Sequence, residues 1–399
     1  MSRCRVAIIA DDLTGALDAA APFAARGATT RVVIALEQLE AALEAWKDAL
    51  PEVIAVNTES RHLAPGPAAA RVAWAARCLA RAAPERWFKK IDSTLRGQVV
   101  AETLALRKAT GRRLLVAPAV PAQGRTVCNA EVHVEGVPLA ATAYGQDARS
   151  APPLGPLDTL YAVEGVSLSR HRPLSEGPLP TDDCVCDAVN QADLSYAYQI
   201  MVGEPSRWLA VGAAGLATVM AQHLFGRLRG LKVPLSRCQR RLYAVGSRSP
   251  RAAAQLALLR ASAPELPVCQ ALSPRATAPD RMEAGILVPG PGTGEETAEA
   301  VAVAMGEQVA RVVALWPEGA GLLLLTGGDI AMAALQRLGV VSIEVMAEWA
   351  PGVPLGRLDG DPNRLVITKA GGFGDPELLG ALERVLPAAG LAPGRCDQS

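Results

Sequence analysis

Short apolar runs end in charged or hydroxyl-bearing loops and pass into Ala-rich helical stretches along the whole chain, and that rhythm leaves few folds open. RVAIIA (5–10) is continuously apolar and β-branched, as a buried strand is. ADDLTGALDAAAPFAARG follows as a helix closed by Gly27. TRVVIAL reads as a second strand, LEQLEAALEAWKDAL as a helix of period near 3.6, and EVIAVNTESRHL as a third strand with a polar end. After the helix AAARVAWAARCLARAA comes WFKKIDSTLRG, Trp87 to Gly97, a fourth strand that turns through Ser93 and Thr94 into the helix GQVVAETLALRKA. RRLLVAPA is a fifth strand. Strand and helix in alternation mean βαβ units on a mainly parallel sheet.

From about Val127 to Pro180 the pattern decays into Gly, Pro and Ser, with a hairpin expected at VHVEGVPL. The rhythm returns at CVCDAVNQADLSYAYQIM and WLAVGAAGLATVMAQHL. LRGLKVPLSRCQRR, basic and Pro-containing, reads as a linker. A second α/β block starts at LYAVGSRSPRAAAQLALL. A chain of 399 residues exceeds one ordinary core. The expectation is therefore two Rossmann-like α/β domains with mainly parallel sheets, residues 1–235 and 236–399, and an active site in the cleft between them.

Composition removes several classes of function. Forty basic and forty acidic residues cancel, so no global field recruits nucleic acid or an anionic membrane. No apolar run has the length of a membrane span, and CRVAIIADD is no export signal, which points to the cytoplasm. Cys184 and Cys186 form the closest of the scattered cysteine pairs, and His62, His133, His171 and His223 lie far apart, so no metal site is expected.

The polar strand ends carry the chemistry. In open α/β sheets ligands bind outside the carboxyl ends of the strands. In the first block four such ends offer Asp11, Asp12 and Thr14; Asn57 to Arg61; Lys89 to Arg96; and Gln123, Gly124, Arg125 and Thr126. Carboxylates accept hydrogen bonds from ligand hydroxyls, while Lys and Arg hold a carboxylate or phosphate. The ligand is thus anionic and hydroxyl-bearing, a description that ATP itself also meets. For Ser93 and Thr94 the competing reading is that they merely cap the helix.

In the second block strands end three times in small-residue loops before a helix: AVG-SRS-PRAAAQ, LLT-GGD-IAMAAL and ITK-AGGFG-DPELL. Ser249 before Pro250 and Asp375 before Pro376 have the form of an N-cap followed by a first-turn Pro. Helix starts with glycine suit a nucleotide phosphate, though each loop alone could be an ordinary turn. There is no Walker sequence, and GPGTGEE from Gly290 fails the GxGxxG spacing. Lys369 before AGGFG serves either a phosphate contact or a structural ion pair.

ADDLTGA, KKIDSTLRG, APAVPAQGRT, AVGSRSPRAAAQ, TGGDIA and TKAGGFGD, in that order, resemble the four-carbon acid sugar kinases, from Val6 to about Leu386. The resemblance implies ATP-dependent phosphorylation of threonate, erythronate or an oxo-tetronate, with an N-terminal domain for the sugar acid and a C-terminal domain for the nucleotide. It implies sugar-acid contacts from Asp11, Asp12, Thr14, Lys90, Asp92, Ser93, Arg96 and the Gln123, Gly124, Arg125 loop. Among these, Asp12 or Asp92 would take the hydroxyl proton, and Lys90 and Arg96 would anchor the carboxylate. It implies ATP contacts from Ser247, Ser249, Gly327, Gly328, Asp329, Ile330, Ala331, Gly371, Gly372 and Gly374, with Mg²⁺ on the phosphates. Two departures stand out. Ile330 occupies a position where the family usually has Thr, and the family's Gly near Asn129 and Ala130 is missing. The alternative is a family member with lost or altered activity that binds sugar acid and nucleotide. A homo-oligomer is left open.

Overall fold

The computed structural model describes residues 3–146, 152–173, 180–230, 235–272, 282–290, 296–316 and 320–387. Residues 231–234 of the expected linker and 291–295 of GPGTGEE lie outside the described residues. The chain divides into two compact units, Met1–Gly230 with Glu344–Ala347, and Leu231–Ile343 with Glu348–Ser399.

The first unit contains β1 (Val6–Ala10), α1 (Leu13–Ala24), β2 (Thr30–Val33), α2 (Leu39–Ala45), β3 (Val53–Asn57), α3 (Pro65–Ala80), β4 (Arg86–Lys90), α4 (Val99–Thr110) and β5 (Arg113–Ala117). It continues with β6 (Arg125–Cys128), β7 (Glu131–Val134), β8 (Val137–Pro138), α5 (Leu157–Val163), β9 (Ser169–His171), β10 (Cys184–Cys186), α6 (Gln191–Val202), β11 (Trp208–Gly212) and α7 (Ala214–Phe225). Its strands run β2-β3-β1-β4-β11-β5-β10-β9, and each neighbouring pair among them is parallel. The chain leaves β1 for β2 and β3 on one side and reaches β4 on the other. The order therefore reverses beside β1, where a crevice opens at the strand ends of a doubly wound sheet. The register levels those ends: Ala10 stands opposite both Asn57 and Lys90, and Gly212 opposite Lys90 and Ala117.

The expected hairpin is part of a three-stranded antiparallel sheet, β6-β7-β8. The missing glycine finds its explanation here. Asn129 and Ala130 turn the chain between β6 and β7 with φ of 53° and 64°, the left-handed pair of a two-residue hairpin turn that favours Asn-Gly. The Asp187 carboxylate accepts both turn N–H groups at 2.8 Å, which holds the strained backbone in place.

The second unit contains β12 (Arg240–Val245), α8 (Pro250–Ser262), β13 (Val268–Gln270), β14 (Ala284–Val288), α9 (Ala298–Ala314), β15 (Gly321–Thr326), α10 (Gly328–Arg337), the ends of β16 (Ser342–Ala350, whose residues Glu344–Ala347 fall in the first unit), β17 (Val353–Leu358), β18 (Arg364–Lys369) and α11 (Leu378–Val385). Strand order is β13-β14-β12-β15-β18-β17-β16, with β17 antiparallel to β18. Here the reversal falls beside β12, between β14 and β15. One core layer is Leu, Ile, Val and Tyr side chains from a single face of this sheet packed against α8 and α11.

Several local expectations fail. β16 and β17 are absent from the sequence reading, because SIEVMAEWA and VPLGRL run from strand to strand into β18 with no helix between them and break the βα rhythm. The helix after KKIDSTLRG starts only at Val99, with Gln98 at its cap position, so neither Ser93 nor Thr94 caps it. Asp375 and Pro376 lie in a turn ahead of α11; Asp375 Oδ1 accepts the Glu377 N–H at 2.9 Å and does not cap a helix that begins at Pro376.

Candidate functional site

The first site is built at the ends of β1, β3 and β4. Thr58 donates its N–H and its hydroxyl to the carbonyl of Ala10, and the Ser60 N–H donates to the Asp11 carbonyl at 3.0 Å, so the loop after β3 is laid over the loop after β1. That delivers Arg61. Its guanidinium donates through Nε and Nη2 to the two oxygens of Asp11 at 2.7 and 3.0 Å and through Nη1 to Asp12 at 2.8 Å, and it lies 4.0 Å from Asp92. Three carboxylates thus converge on one guanidinium. Burial alone would push the Asp11 carboxyl up; Arg61, aided by Lys89 and Lys90, holds it below its ordinary value. Gly97 permits this approach: its φ is +88°, and a Cβ there would stand 3.0 Å from Asp11 Oδ2.

Asp12 is the N-cap of α1, accepting from the Gly15 N–H at 2.8 Å and from the Thr14 hydroxyl at 2.5 Å. Asp92 accepts from Arg96 Nε and Nη2 at 2.9 and 3.0 Å and from the Thr94 hydroxyl and N–H. Burial opposes its ionisation, but Arg61 and Arg96 overcome that and hold the Asp92 carboxyl far below the carboxylate range. The Ser93 hydroxyl, half-buried, has no protein partner among the described residues.

The two adjacent lysines part company, as alternate residues of a strand must. Lys89 is wholly buried and paired to Glu102 Oε2 at 2.8 Å, with further bonds to the carbonyls of Ile9 and Lys90. It is a structural ion pair and no ligand contact, contrary to the sequence reading of this stretch. Lys90 turns to the other face. It is 4% exposed, donates to the Ile91 carbonyl at 3.0 Å, and has no carboxylate partner among the described residues. Its ammonium lies against α1, only 3.3 Å from where a Gly15 Cβ would be.

The structure therefore brings together Asp11, Asp12, Thr14, Lys90, Asp92, Ser93 and Arg96. Gln123, Gly124 and Arg125 stand apart at the end of β5, with β11 between β5 and β4. Arg125 donates to the Gln123 carbonyl and, at 3.2 Å, to the Tyr144 hydroxyl. Sequence reasoning noticed Arg61 at a strand end but did not carry it to the site. It missed Asp18, the one charged residue in the Ala-rich α1, whose carboxyl is pushed up to about 6 by burial.

The second site lies at the ends of β12, β15 and β18. Ser249 caps α8: its hydroxyl accepts the Ala252 N–H at 3.1 Å and donates to the Gly371 carbonyl at 2.8 Å, so it is occupied as a structural tie. A Cβ at Gly371 would collide with Ser247 Oγ, so this glycine lets the two loops close. α10 starts at Gly328 with Gly327, φ 102°, in place of a capping side chain. A helix start leaves its first N–H groups without intrahelical acceptors, which suits a phosphate. Asp329 and Gly372 are exposed here, and Gly374 closes the third loop with φ +77°. Ile330 and Ala331 turn their side chains into the core, Ile330 against Gly246, so neither offers a side-chain contact to a nucleotide. Lys369 is 1% exposed and bonds to the Gly371 carbonyl at 3.3 Å. No carboxylate pairs with it among the described residues, which removes the structural ion pair, and burial pushes its ammonium down to about 8.

Among the described residues no three His, Cys, Asp or Glu side chains form a group that could hold a metal ion. At the first site the cation inside the ring of carboxylates is Arg61 itself.

Comparison with known proteins identifies both halves. Residues 6–155 match a sugar-binding N-terminal domain, and residues 290–379 match a nucleotide-binding C-terminal domain. The chain is 31% identical to a D-threonate kinase of Salmonella typhimurium over 94% of this chain and 96% of the relative. It is 32% identical to a D-threonate kinase of Bordetella bronchiseptica (94% and 95%), and 26% identical to a 3-oxo-tetronate kinase of Brucella melitensis (93% of each). Among solved structures, a Salmonella typhimurium chain superposes with a TM-score of 0.76 at 20% identity, covering 95% of this chain and 99% of that one. A Bordetella bronchiseptica chain, 30% identical with a TM-score of 0.51 and coverage of 96% and 98%, was solved as a domain-swapped dimer with bound citrate. With identity at this level running over nearly its whole length, the protein belongs to the family of four-carbon acid sugar kinases.

Proposed function

We propose that the protein transfers the γ-phosphoryl group of ATP to a hydroxyl of a four-carbon sugar acid, with D-threonate the first candidate because the D-threonate kinases are 31–33% identical and the 3-oxo-tetronate kinases 26–28%. The observation that carries the acid site is Lys90: a buried ammonium with no carboxylate ion-pair partner among the described residues, at the end of the strand whose following loop bears the half-buried Ser93 and Arg96. A substrate carboxylate on Lys90 and the outer edge of Arg96 would fill that vacancy in charge, and the citrate held by a relative is in keeping with such a ligand. Asp11 and Arg61 stiffen the loops beneath. Phosphoryl transfer asks the protein mainly for positioning and charge neutralisation. For the nucleotide, the starts of α8 and α10 and the ammonium of Lys369 would meet the phosphates. Mg²⁺ bound with the nucleotide would neutralise phosphate charge; no group of three His, Cys, Asp or Glu side chains among the described residues is placed to hold it.

We read the enzyme as cytoplasmic and acting on small molecules; no described helix is long and apolar enough to cross a membrane. Ile330 is the one observation favouring a binding protein without turnover, and its buried side chain leaves the main chain of that turn in place. ADP formation measured across D- and L-threonate, D-erythronate and 3-oxo-tetronates decides the matter. Turnover with D-threonate is expected; ATP binding without turnover on any four-carbon acid would sink the reading.

A further inference from the structure

A kinase of this kind needs a group to receive the proton of the attacking hydroxyl, and most carboxylates of the first site are already committed. Asp11 gives both oxygens to Arg61. Asp12 caps α1 and also accepts from Thr14 and Arg61. Asp92 is gripped by Arg96 and Thr94. Glu102 is sealed against Lys89.

Asp18 is different. It is half-buried and makes neither a hydrogen bond nor an ion pair among the described residues. It sits one turn beyond Gly15 on the same face of α1, and helical side chains lean back towards the N-terminus, here the Gly15 turn. Gly15 is where the Lys90 ammonium rests against the helix. Asp18 and Lys90 therefore face one crevice from its two walls, α1 and the end of β4.

We propose that Asp18 is the general base of the reaction, an assignment that rests on the kinase reading above. As the substrate hydroxyl oxygen forms its bond to the γ-phosphorus, its proton passes to an Asp18 oxygen. The bond from that phosphorus to the bridging oxygen breaks, ADP leaves, and Asp18 returns the proton to water.

The surroundings suit the role. Burial pushes the Asp18 carboxyl up to about 6, with Lys90 pulling it down and Asp12 and Asp92 pushing it up. Of the other elements packed on α1, β1 and β3 bear no charged side chain. β2 has Arg31, which lies over the Trp46 ring, and α7 has His223, which packs at a tilt against the Tyr198 ring. A base with a pKa near the working pH is the most effective.

The test is kcat for the purified protein with saturating ATP and D-threonate, from about pH 5 to pH 8, for wild type, Asp18→Asn and Asp18→Glu. Wild type should lose activity towards acid through about 6. Asp18→Asn should lose kcat by about 10²-fold or more while its melting temperature and its Kd for D-threonate stay near wild type. Asp18→Glu should recover part of kcat with a displaced acid limb; if Asp18→Asn does not fold, this displacement decides. A loss of less than about tenfold in Asp18→Asn, an unmoved acid limb, or a change in KM alone would overturn the assignment and leave the kinase reading standing. No wild-type turnover on any four-carbon acid would overturn both.

Discussion

Replacing Arg61 with Ala tests whether one guanidinium holds the first site together. The side chain makes two bonds to Asp11 and one to Asp12 at 2.7–3.0 Å, and Asp11 is 3% exposed. Without Arg61 the Asp11 carboxylate stays in the interior with only Lys89 and Lys90 acting on it through space. Removing one partner of a buried pair costs about 3–5 kcal/mol, and the two lysines place the expectation near 3 kcal/mol. For a domain of this size that is a fall of about 6–12 °C in melting temperature. The pH dependence has a definite sign. In wild type the folded pKa of Asp11 is depressed, so its contribution is present above the unfolded value and is lost only as pH falls through the folded one. In Arg61→Ala burial dominates and raises that pKa, so protonation on acidification removes the penalty. The deficit should be largest near pH 7 and shrink by about pH 5, read by calorimetry at both. Arg61→Lys, with charge but no fork, should fall between. A deficit below about 1 kcal/mol, or one of equal size at both pH values, would refute the reasoning.

Two further outcomes follow from buried lysines. At the Lys89–Glu102 pair, 2.8 Å and sealed from solvent, Lys89→Met alone should cost about 3–5 kcal/mol, whereas Lys89→Met with Glu102→Leu should recover most of it in urea unfolding; an equal loss in the double variant would contradict this. Lys369, held down to about 8 by burial, should gain a proton when a nucleotide phosphate arrives, so ATP affinity should weaken as pH rises through that value and titration calorimetry should show proton uptake. Lys369→Met should abolish both effects, and proton uptake that persists in the variant would remove Lys369 from the phosphate site.

Much of this was legible in the chain because strand ends are local features. ADD after RVAIIA and the KKIDSTLRG turn announce polar groups at the lip of a parallel sheet, and the sheet's topology places them side by side. Asp12 as an N-cap was within reach of spacing rules. Strand alternation alone would have separated Lys89 from Lys90. What spacing could not show is pairing across distance: Arg61 meets Asp11 from 50 residues away, a contact set by the register of β3 on β1. Nor could it show desolvation, which distinguishes Asp18 from an ordinary helical Asp. The antiparallel β17 beside β18 escaped because it belongs to no βα unit.

The central claim is that Lys90 receives the substrate carboxylate, and calorimetric binding of D-threonate to Lys90→Met against wild type tests it most directly. The ammonium has no carboxylate ion-pair partner among the described residues and acts on Asp11 and Asp18 only through space, so the variant should still fold. The account predicts a D-threonate affinity weaker by about 10–100-fold, the worth of one charged hydrogen bond, with ATP affinity unchanged. Equal affinity for D-threonate in the two proteins would contradict it.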